Sequence, residues 1–442
     1  MPPEFSAGDT TWVLAASALV LLMTPGLAFF YGGMVRVKSA LNMLIMSFIC
    51  IALVSVLWVL YGYSLAFGTD AFHGLIGDLG HLGLRDIEVN TLSGSIPTFV
   101  FVSFQLMFAI ITPALISGAI ADRAKFTAWT LFVGLWVTFV YFPIAHWVFD
   151  FDNGNGGWIA DRLQAFDFAG GTAVHINAGC AGLALAFVLG KRVGFQRDAL
   201  RPHSMPLVML GAGLLWFGWF GFNAGSALSA SGLASLAFLN TQVATAAAVL
   251  GWLAVEKIRD GKPTTLGAAS GAVAGLVAIT PACGTVSPLG SIVVGGLAGI
   301  GCALAIGLKY RFGYDDSLDV VGVHLVGGLV GTLLIGFLAT GAVGLASGLF
   351  YGGGLSQLGK QAIAAFAVLG YSLVVSYILG LIVDKTIGFR VSEEDEVNGI
   401  DLVEHAETAY DLGPIMGGTA ARPLASAAAS ATGTPDSEKV DA

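Results

Sequence analysis

The stretch Asp167–Leu183, DFAGGTAVHINAGCAGL, sets a histidine eight residues after an aspartate in a run otherwise dominated by Ala, Gly, Val, Ile and Leu. A second stretch, Asp316–Gly331, DSLDVVGVHLVGGLVG, repeats the pattern Asp-x6-Val-His-x3-Gly-x2-Gly. Asp167, Val174, His175, Gly179 and Gly182 are answered by Asp316, Val323, His324, Gly328 and Gly331. Eight residues of helix rise about 12 Å, so each histidine lies deep in its apolar segment while its aspartate stays near a surface. Ionisable groups at such depth are costly and mark a pathway when they recur.

The rest of the chain agrees with a bilayer setting. Of its 442 residues 56% are hydrophobic and 11% charged, against about a quarter charged in an ordinary soluble domain, and the mean hydropathy is +0.81. Crossing the hydrocarbon takes about 20 residues of helix. Single crossings fit the charge-free runs Thr10–Val35, Ser39–Thr69, Val89–Ala121, Phe126–Phe149 and Phe168–Gly190. Pro202–Val255 divides at GSALSASGL and Pro263–Leu308 at TPACGTVSPLG, giving two crossings each. Val320–Gly359 holds one crossing and a Gly-rich loop, and Gln361–Val383 holds the last, so the expectation is an all-α integral membrane protein of eleven transmembrane helices. The opening MPPEFSAGDTTW has no basic stretch and precedes a run too long for a signal peptide, so it reads as a short tail.

Lys and Arg then orient the chain. Arg36, Lys38, Arg123, Lys125, Lys191, Arg192, Arg197, Arg201, Lys257, Arg259, Lys262, Lys309, Arg311, Lys385 and Arg390 fall on one side; Arg85, Arg162 and Lys360 fall on the other. The first side is cytoplasmic, which places the N-terminus outside and the C-terminus inside. The two histidines are five crossings apart, so their helices run in opposite directions, as in an inverted 5+5 repeat followed by an eleventh helix. The halves are residues 10–190 and 202–341. Glycines spaced four apart (Gly271/Gly275, Gly295/Gly299, Gly327/Gly331) suit close helix packing. Pro25, Pro113 and Pro143 are expected to kink helices or free backbone groups. On a helix Gly179 and Gly182 share the face of His175, which would leave room beside the imidazole for a narrow pore.

Other chemistries fit less well. The net charge of −9 is carried mostly by loops and the tail and points to no nucleic-acid partner. Cys50, Cys180, Cys283 and Cys302 have no metal-type spacing and read as small packing residues. A metal site would need further ligands beside the histidines, and only His146 lies near the end of another crossing, so neither a metal, a cofactor nor a catalytic residue is expected.

With GWFGFNAGSA (Gly218–Ala227), NTQVATAAAVLGW (Asn240–Trp252), TPACG (Thr280–Gly284) and DDSLDVVGVH (Asp315–His324) beside the first motif, the chain resembles the ammonium transporter family, Amt/Mep/Rh, on its bacterial Amt branch. The likeness runs from TPGLAFFYGG (Thr24–Gly33) to the segment ending at Tyr410. It implies ammonium uptake through the cytoplasmic membrane, with methylammonium as an analogue. His175 and His324 match the family's paired pore histidines, and Phe108 and Phe222 its stacked outer gate. Phe108, Ser226 and Asp167 match the outer ammonium recruitment site, and Asp316 is the partner aspartate of the second repeat. Where the family places a tryptophan in that site this chain has Phe149, followed by inserted residues that include Trp158 as an alternative ring. Phe is the weaker cation–π partner.

The mechanism this implies is recruitment of the cation, deprotonation at or below the Phe gate, and passage of ammonia along the imidazoles. The proton either follows the histidine pair, making transport electrogenic, or returns outside, leaving an electroneutral ammonia channel. An ammonium sensor is the further alternative. In the tail, residues 391–412 carry spaced apolar residues (Ile400, Leu402, Val403) suited to short helices against the cytoplasmic face, and residues 413–442 are low-complexity and expected to be disordered. The resemblance implies a homotrimer in membrane lipid and, as a partner, a PII-type regulatory protein at the cytoplasmic mouth.

Overall fold

A computed structural model describes residues 4–410 apart from 153, 199 and 345; the low-complexity segment 413–442 lies outside the described residues. Ten helices among these are long and apolar enough to cross a bilayer. They are α1 (Ala7–Met34), α2 (Val37–Phe67), α3 (Thr98–Ile120), α4 (Phe126–Phe149), α5 (Gly171–Leu189), α6 (Met205–Gly225) and α7 (Gly232–Arg259), then α9 (Pro288–Phe312), α10 (Val321–Leu338) and α11 (Ser356–Ile387). Between α7 and α9 lies a shorter apolar helix, α8 (Thr265–Ile279), of 15 residues. Two short helices, α12 (Glu393–Asn398) and α13 (Ile400–His405), close the described chain.

Polar residues set the helix starts. Ser6, Ser204, Ser231, Thr264 and Ser287 each accept a hydrogen bond from the backbone N–H three residues on, satisfying a donor that the first turn leaves free. Two boundaries differ from the hydropathy reading. The run from Val89 begins as a small antiparallel hairpin, Leu92–Ser93 against Ile96–Pro97, because Gly94 turns the chain at φ +62° and Pro97 cannot extend a helix backwards. At α11 the polar ends Ser356, Gln357 and Lys360, and Asp384 and Lys385, stay helical, so the helix runs 32 residues.

The most extensive packing pairs α1 with α6, α7 with α8 and α9, and α5 with α10 and α11. Glycine makes these approaches possible: a Cβ at Gly211 would stand 2.6 Å from Phe30 Cα, and one at Gly275 2.6 Å from Ala248 Cβ. Pro143 follows a π-helical turn, Val137–Tyr141. Its missing N–H frees the carbonyl of Phe139, which accepts the Tyr371 hydroxyl of α11 at 2.7 Å, so this proline opens the helix toward a neighbour.

The Lys/Arg-rich end is tied by buried charges. Arg192 pairs with Asp315 at 2.9 Å and Asp122 at 3.2 Å; Arg123 donates to Ser317 Oγ and to the Asp315 carbonyl, both at 2.6 Å. Burial opposes ionisation of Asp315, but the hydrogen bonds and charge of Arg192 outweigh it and hold the carboxyl below its ordinary value. Glu396 of α12, fully buried, accepts Arg390 Nη2 and the Val193 amide, each at 2.7 Å. Asp401 of α13 accepts the amides of Leu41 and Asn42 at 3.0 and 2.8 Å, and Glu404 that of Phe126 at 3.0 Å. Of the spaced apolar tail residues only Ile400 is buried; Leu402 and Val403 are exposed. The tail is held by its carboxylates more than by an apolar stripe.

Candidate functional site

Both histidines stand in π-helical turns that open their helices, Gly171–Ile176 in α5 and Val321–Leu325 in α10, each as the penultimate residue. Such turns recur at functional sites, since the wider coil re-aims side chains. Each turn is anchored by its aspartate. Asp167 Oδ1 accepts the amides of Gly170 and Gly171, both at 2.7 Å. Its Oδ2 accepts Thr172 N at 2.8 Å, Ala173 N at 3.3 Å and the Thr172 hydroxyl. Asp316 accepts Val320 N and Val321 N at 3.0 and 2.7 Å. These carboxylates satisfy the free donors of the first turn and sit at the positive end of the helix dipole.

The two turns bring the imidazoles together: His175 Nδ1 and His324 Nδ1 are 3.3 Å apart, with ring centroids at 5.3 Å. In the neutral pair one Nδ1 donates and the other accepts, so the rings are in opposite tautomers and share one proton. The Nε2 of His175 is buried without a hydrogen-bond partner. Gly179, read from the sequence as pore clearance, faces the backbone of α10, and Gly182 faces Ala119 and the Val320 side chain. A Cβ at Gly179 would meet Leu325 N at 2.5 Å, and one at Gly328 would meet His175 Cβ at 3.2 Å. Gly179 and Gly328 let the backbones of α5 and α10 approach, which sets the distance between the histidines.

Above His175 the rings continue. Phe222 lies 6.0 Å from it at an interplanar angle of 16°, and Phe108 packs on Phe222 at 4.5 Å, tilted by 53°. Trp219, which sequence reasoning missed, covers His175 at 5.5 Å and is fixed by donating Nε1–H to Thr280 Oγ1 at 2.8 Å. Its spacing of three from Phe222 puts both on one helix face, a signal present in GWFGFNAG. All five rings are 3% exposed or less.

At one end the column meets a cavity, which Phe108 lines. This cavity, of about 710 Å³, is also lined by Phe149, Asp150, Asp167 and Ser226, and by Val343 and Gly344 of the Gly-rich loop. Ser226 donates its hydroxyl proton to the Phe222 carbonyl at 2.8 Å, so only acceptor lone pairs remain for the cavity. Phe149 lines it; Trp158 instead packs on Trp147 at 5.8 Å, outside the lining. A second cavity, about 540 Å³, lies at the Lys/Arg-rich end and is lined by charged groups that include Arg36, Asp122, Arg192, Lys309 and Asp319. Among the described residues no three His, Cys, Asp or Glu side chains converge as a metal-ligand set.

Apolar helices around a buried column of rings with two linked imidazoles, which meets a cavity lined by rings and carboxylates, fit a multi-pass membrane protein of the transporter or channel class. Known sequences and structures narrow the class. Residues 11–410 match the Ammonium Transporter Family, and the chain belongs to that family. It is 60% identical over 436 residues to an ammonium transporter of Mycobacterium tuberculosis, covering 93% of this chain and 91% of that one. With an ammonium transporter of Bacillus subtilis the identity is 48% over 408 residues, 91% of this chain and 98% of the other. The crystal structure of Candida albicans Mep2 is similar with a TM-score of 0.82 at 35% identity, covering 89% of this chain and 88% of that one. The relatives are named as transporters, which points to a role other than catalysis.

Proposed function

We propose that the protein moves ammonium inward across the cytoplasmic membrane, taking up the cation at the Phe108 mouth and passing ammonia along His175 and His324. The observation that carries this reading is the buried column of rings with the 3.3 Å imidazole contact at its centre. At the mouth, the faces of Phe108 and Phe149 attract a desolvated cation, and the lone pairs of Ser226 reward its N–H donors. Potassium satisfies the rings but cannot surrender a proton. An intact cation is costly in a low-dielectric path, so ammonium deprotonates at or below the Phe108–Phe222 gate. The neutral molecule crosses, and the proton passes through the shared hydrogen bond of the histidines, inverting their tautomers.

In this reading all eleven apolar helices cross, α8 included, with the N-terminus outside and the tail in the cytoplasm. The inverted repeat is supported by the pairing of α1 with α6 and of α5 with α10, and by the two aspartates, each accepting amides of the turn that carries its histidine. Residues 1–390 form the transport domain and 391–412 a regulatory tail. The chain assembles as a homotrimer, and a PII-type regulator docks at the Lys/Arg-rich mouth; pull-down with the organism's PII protein, with and without effector nucleotides, tests that contact. Transport is tested by currents from proteoliposomes on a solid-supported membrane after an ammonium jump, with potassium as control. An ammonium-specific transient supports proton relay. Internal alkalinisation without current overturns the relay and leaves a neutral ammonia channel.

A further inference from the structure

We propose that Asp150 is a cation-recruiting residue of the Phe108 vestibule, supplying by its charge the attraction that Phe149 supplies less strongly than a tryptophan ring would. The proposal rests on the transport reading above.

Asp150 ends α4 directly after Phe149 and lines the same cavity as Phe108 and Ser226. Two carboxylates belong to that cavity, and they differ in what they have left to offer. Asp167 is committed, since its two oxygens already accept five donors from the start of α5. Asp150 is uncommitted: among the described residues neither of its oxygens accepts a hydrogen bond, and its side chain keeps 15% of its surface exposed.

Its surroundings leave the charge uncompensated. His146, fully buried one helical turn earlier, has Nδ1 3.1 Å from the Ala66 carbonyl and 3.6 Å from Asp150 Oδ2. The other ring nitrogen, Nε2, is buried without a hydrogen-bond partner, 3.7 Å from Asp70 Oδ1. Arg162 is paired with Asp70 at 3.3 Å. Asp161 is held by the amides of Asp152, Gly154 and Gly156, and Tyr63 of α2 lines the cavity as well. Burial, and then the like charges of Asp152, Asp161 and Asp70, push the Asp150 carboxyl up to about 7. The unfolded chain titrates it near 3.8, so the folded protein binds more protons between these values and ionising Asp150 lowers stability as pH rises toward 7. The cation among these groups, Arg162, is engaged by Asp70, and an ammonium ion at the rings of Phe108 and Phe149 supplies the one that Asp150 is without.

The test measures ammonium-jump currents at equal pH on both sides, from about pH 5.5 to 8, for the wild-type protein, Asp150→Asn and Asp150→Glu. Ammonium stays protonated over this range. In the wild type the apparent KM falls about tenfold as pH rises through 7, the scale of one unit charge at close range in a partly screened site. Asp150→Asn keeps the high KM at every pH with its maximal current retained, and Asp150→Glu restores the pH profile. At pH 8 the Asn variant is also the more heat-stable protein, which a purely structural role would not produce. Identical KM values and profiles in Asp150→Asn and wild type overturn the proposal. A check on the wild-type protein alone needs no folded variant: raising ionic strength shortens the screening length from about 30 to about 8 Å, which raises KM at pH 8 and leaves it unchanged at pH 5.5. An equal salt effect at both pH values overturns it too. Absence of any wild-type ammonium response would instead reject the transport reading.

Discussion

Replacing Asp167 with asparagine separates two roles that a carboxylate at a pore mouth can play. Its Oδ1 accepts two amides, and its Oδ2 accepts two amides and a hydroxyl. An asparagine has one acceptor oxygen, so in either orientation at least two backbone donors face an NH2 group. Hydrogen bonds to a charged group contribute roughly 1.5–3 kcal/mol each, and the lost charge at the helix N-terminus adds about 0.3–1 kcal/mol. Water recovers part of this at a half-buried site, leaving about 2–4 kcal/mol against the turn that carries His175 two residues beyond Ala173. At 1.4 kcal/mol per factor of ten, the correctly started helix loses one to three orders of magnitude in its equilibrium. We expect Asp167→Asn to lower both the thermal midpoint of the purified protein and the ammonium current. A variant with a wild-type midpoint and no current would refute the capping argument and assign Asp167 a direct electrostatic task.

Further outcomes follow from the same geometry. His175→Leu and His324→Leu each remove the shared proton, and loss of flux or of potassium rejection is expected in ammonium and potassium jumps; unchanged behaviour in both would reject the relay. Ser226→Ala deletes the lone pairs offered at the mouth and should raise the KM for ammonium or methylammonium about three- to tenfold, the worth of about one hydrogen bond, with the maximal rate little changed. Gly179→Ala places a Cβ 2.5 Å from Leu325 N, an overpacking that costs about 1–3 kcal/mol; it should lower the thermal midpoint and flux together by spreading the histidine pair, and a neutral result would show that α5 and α10 yield without cost.

Much of the fold is legible because a bilayer makes hydrophobic length nearly sufficient evidence for a helix, as the breaks at Ser226–Ser231 and Thr280–Ser287 illustrate. The histidine pair is legible because an ionisable group in such a run needs a reason. What escapes the sequence is set by contacts across long separations. The Gly-rich loop gives no sign that Val343 and Gly344 reach the vestibule, and Glu396 reads as a solvated tail charge although Arg390 and the Val193 amide bury it. The hairpin before α3 is hidden because its apolar residues look like the continuation of a helix. The sequence shows which helix face Gly179 occupies but not that the backbone of Leu325 fills it. Asp150 sits in a segment whose charges look like an ordinary surface loop, and only the cavity distinguishes it.

The carboxylates of α12 and α13 also bear on the order in which the protein is made. Asp401 accepts an amide from a residue 360 positions earlier in the chain, and its neighbours do the same for loops made in between. At ribosomal speeds of roughly 5–20 residues per second, the amides of Leu41 and Asn42 wait some 20 to 70 seconds for their acceptor to be synthesised. Until then this end of the molecule is tied only by the pairs made earlier in the chain, Arg192 with Asp122 and Asp315 among them. A chain that stops just before residue 393 therefore contains every apolar helix and still lacks the carboxylates that cap the amides of Leu41, Asn42, Phe126 and Val193, so the end of synthesis completes contacts that the start of synthesis leaves open.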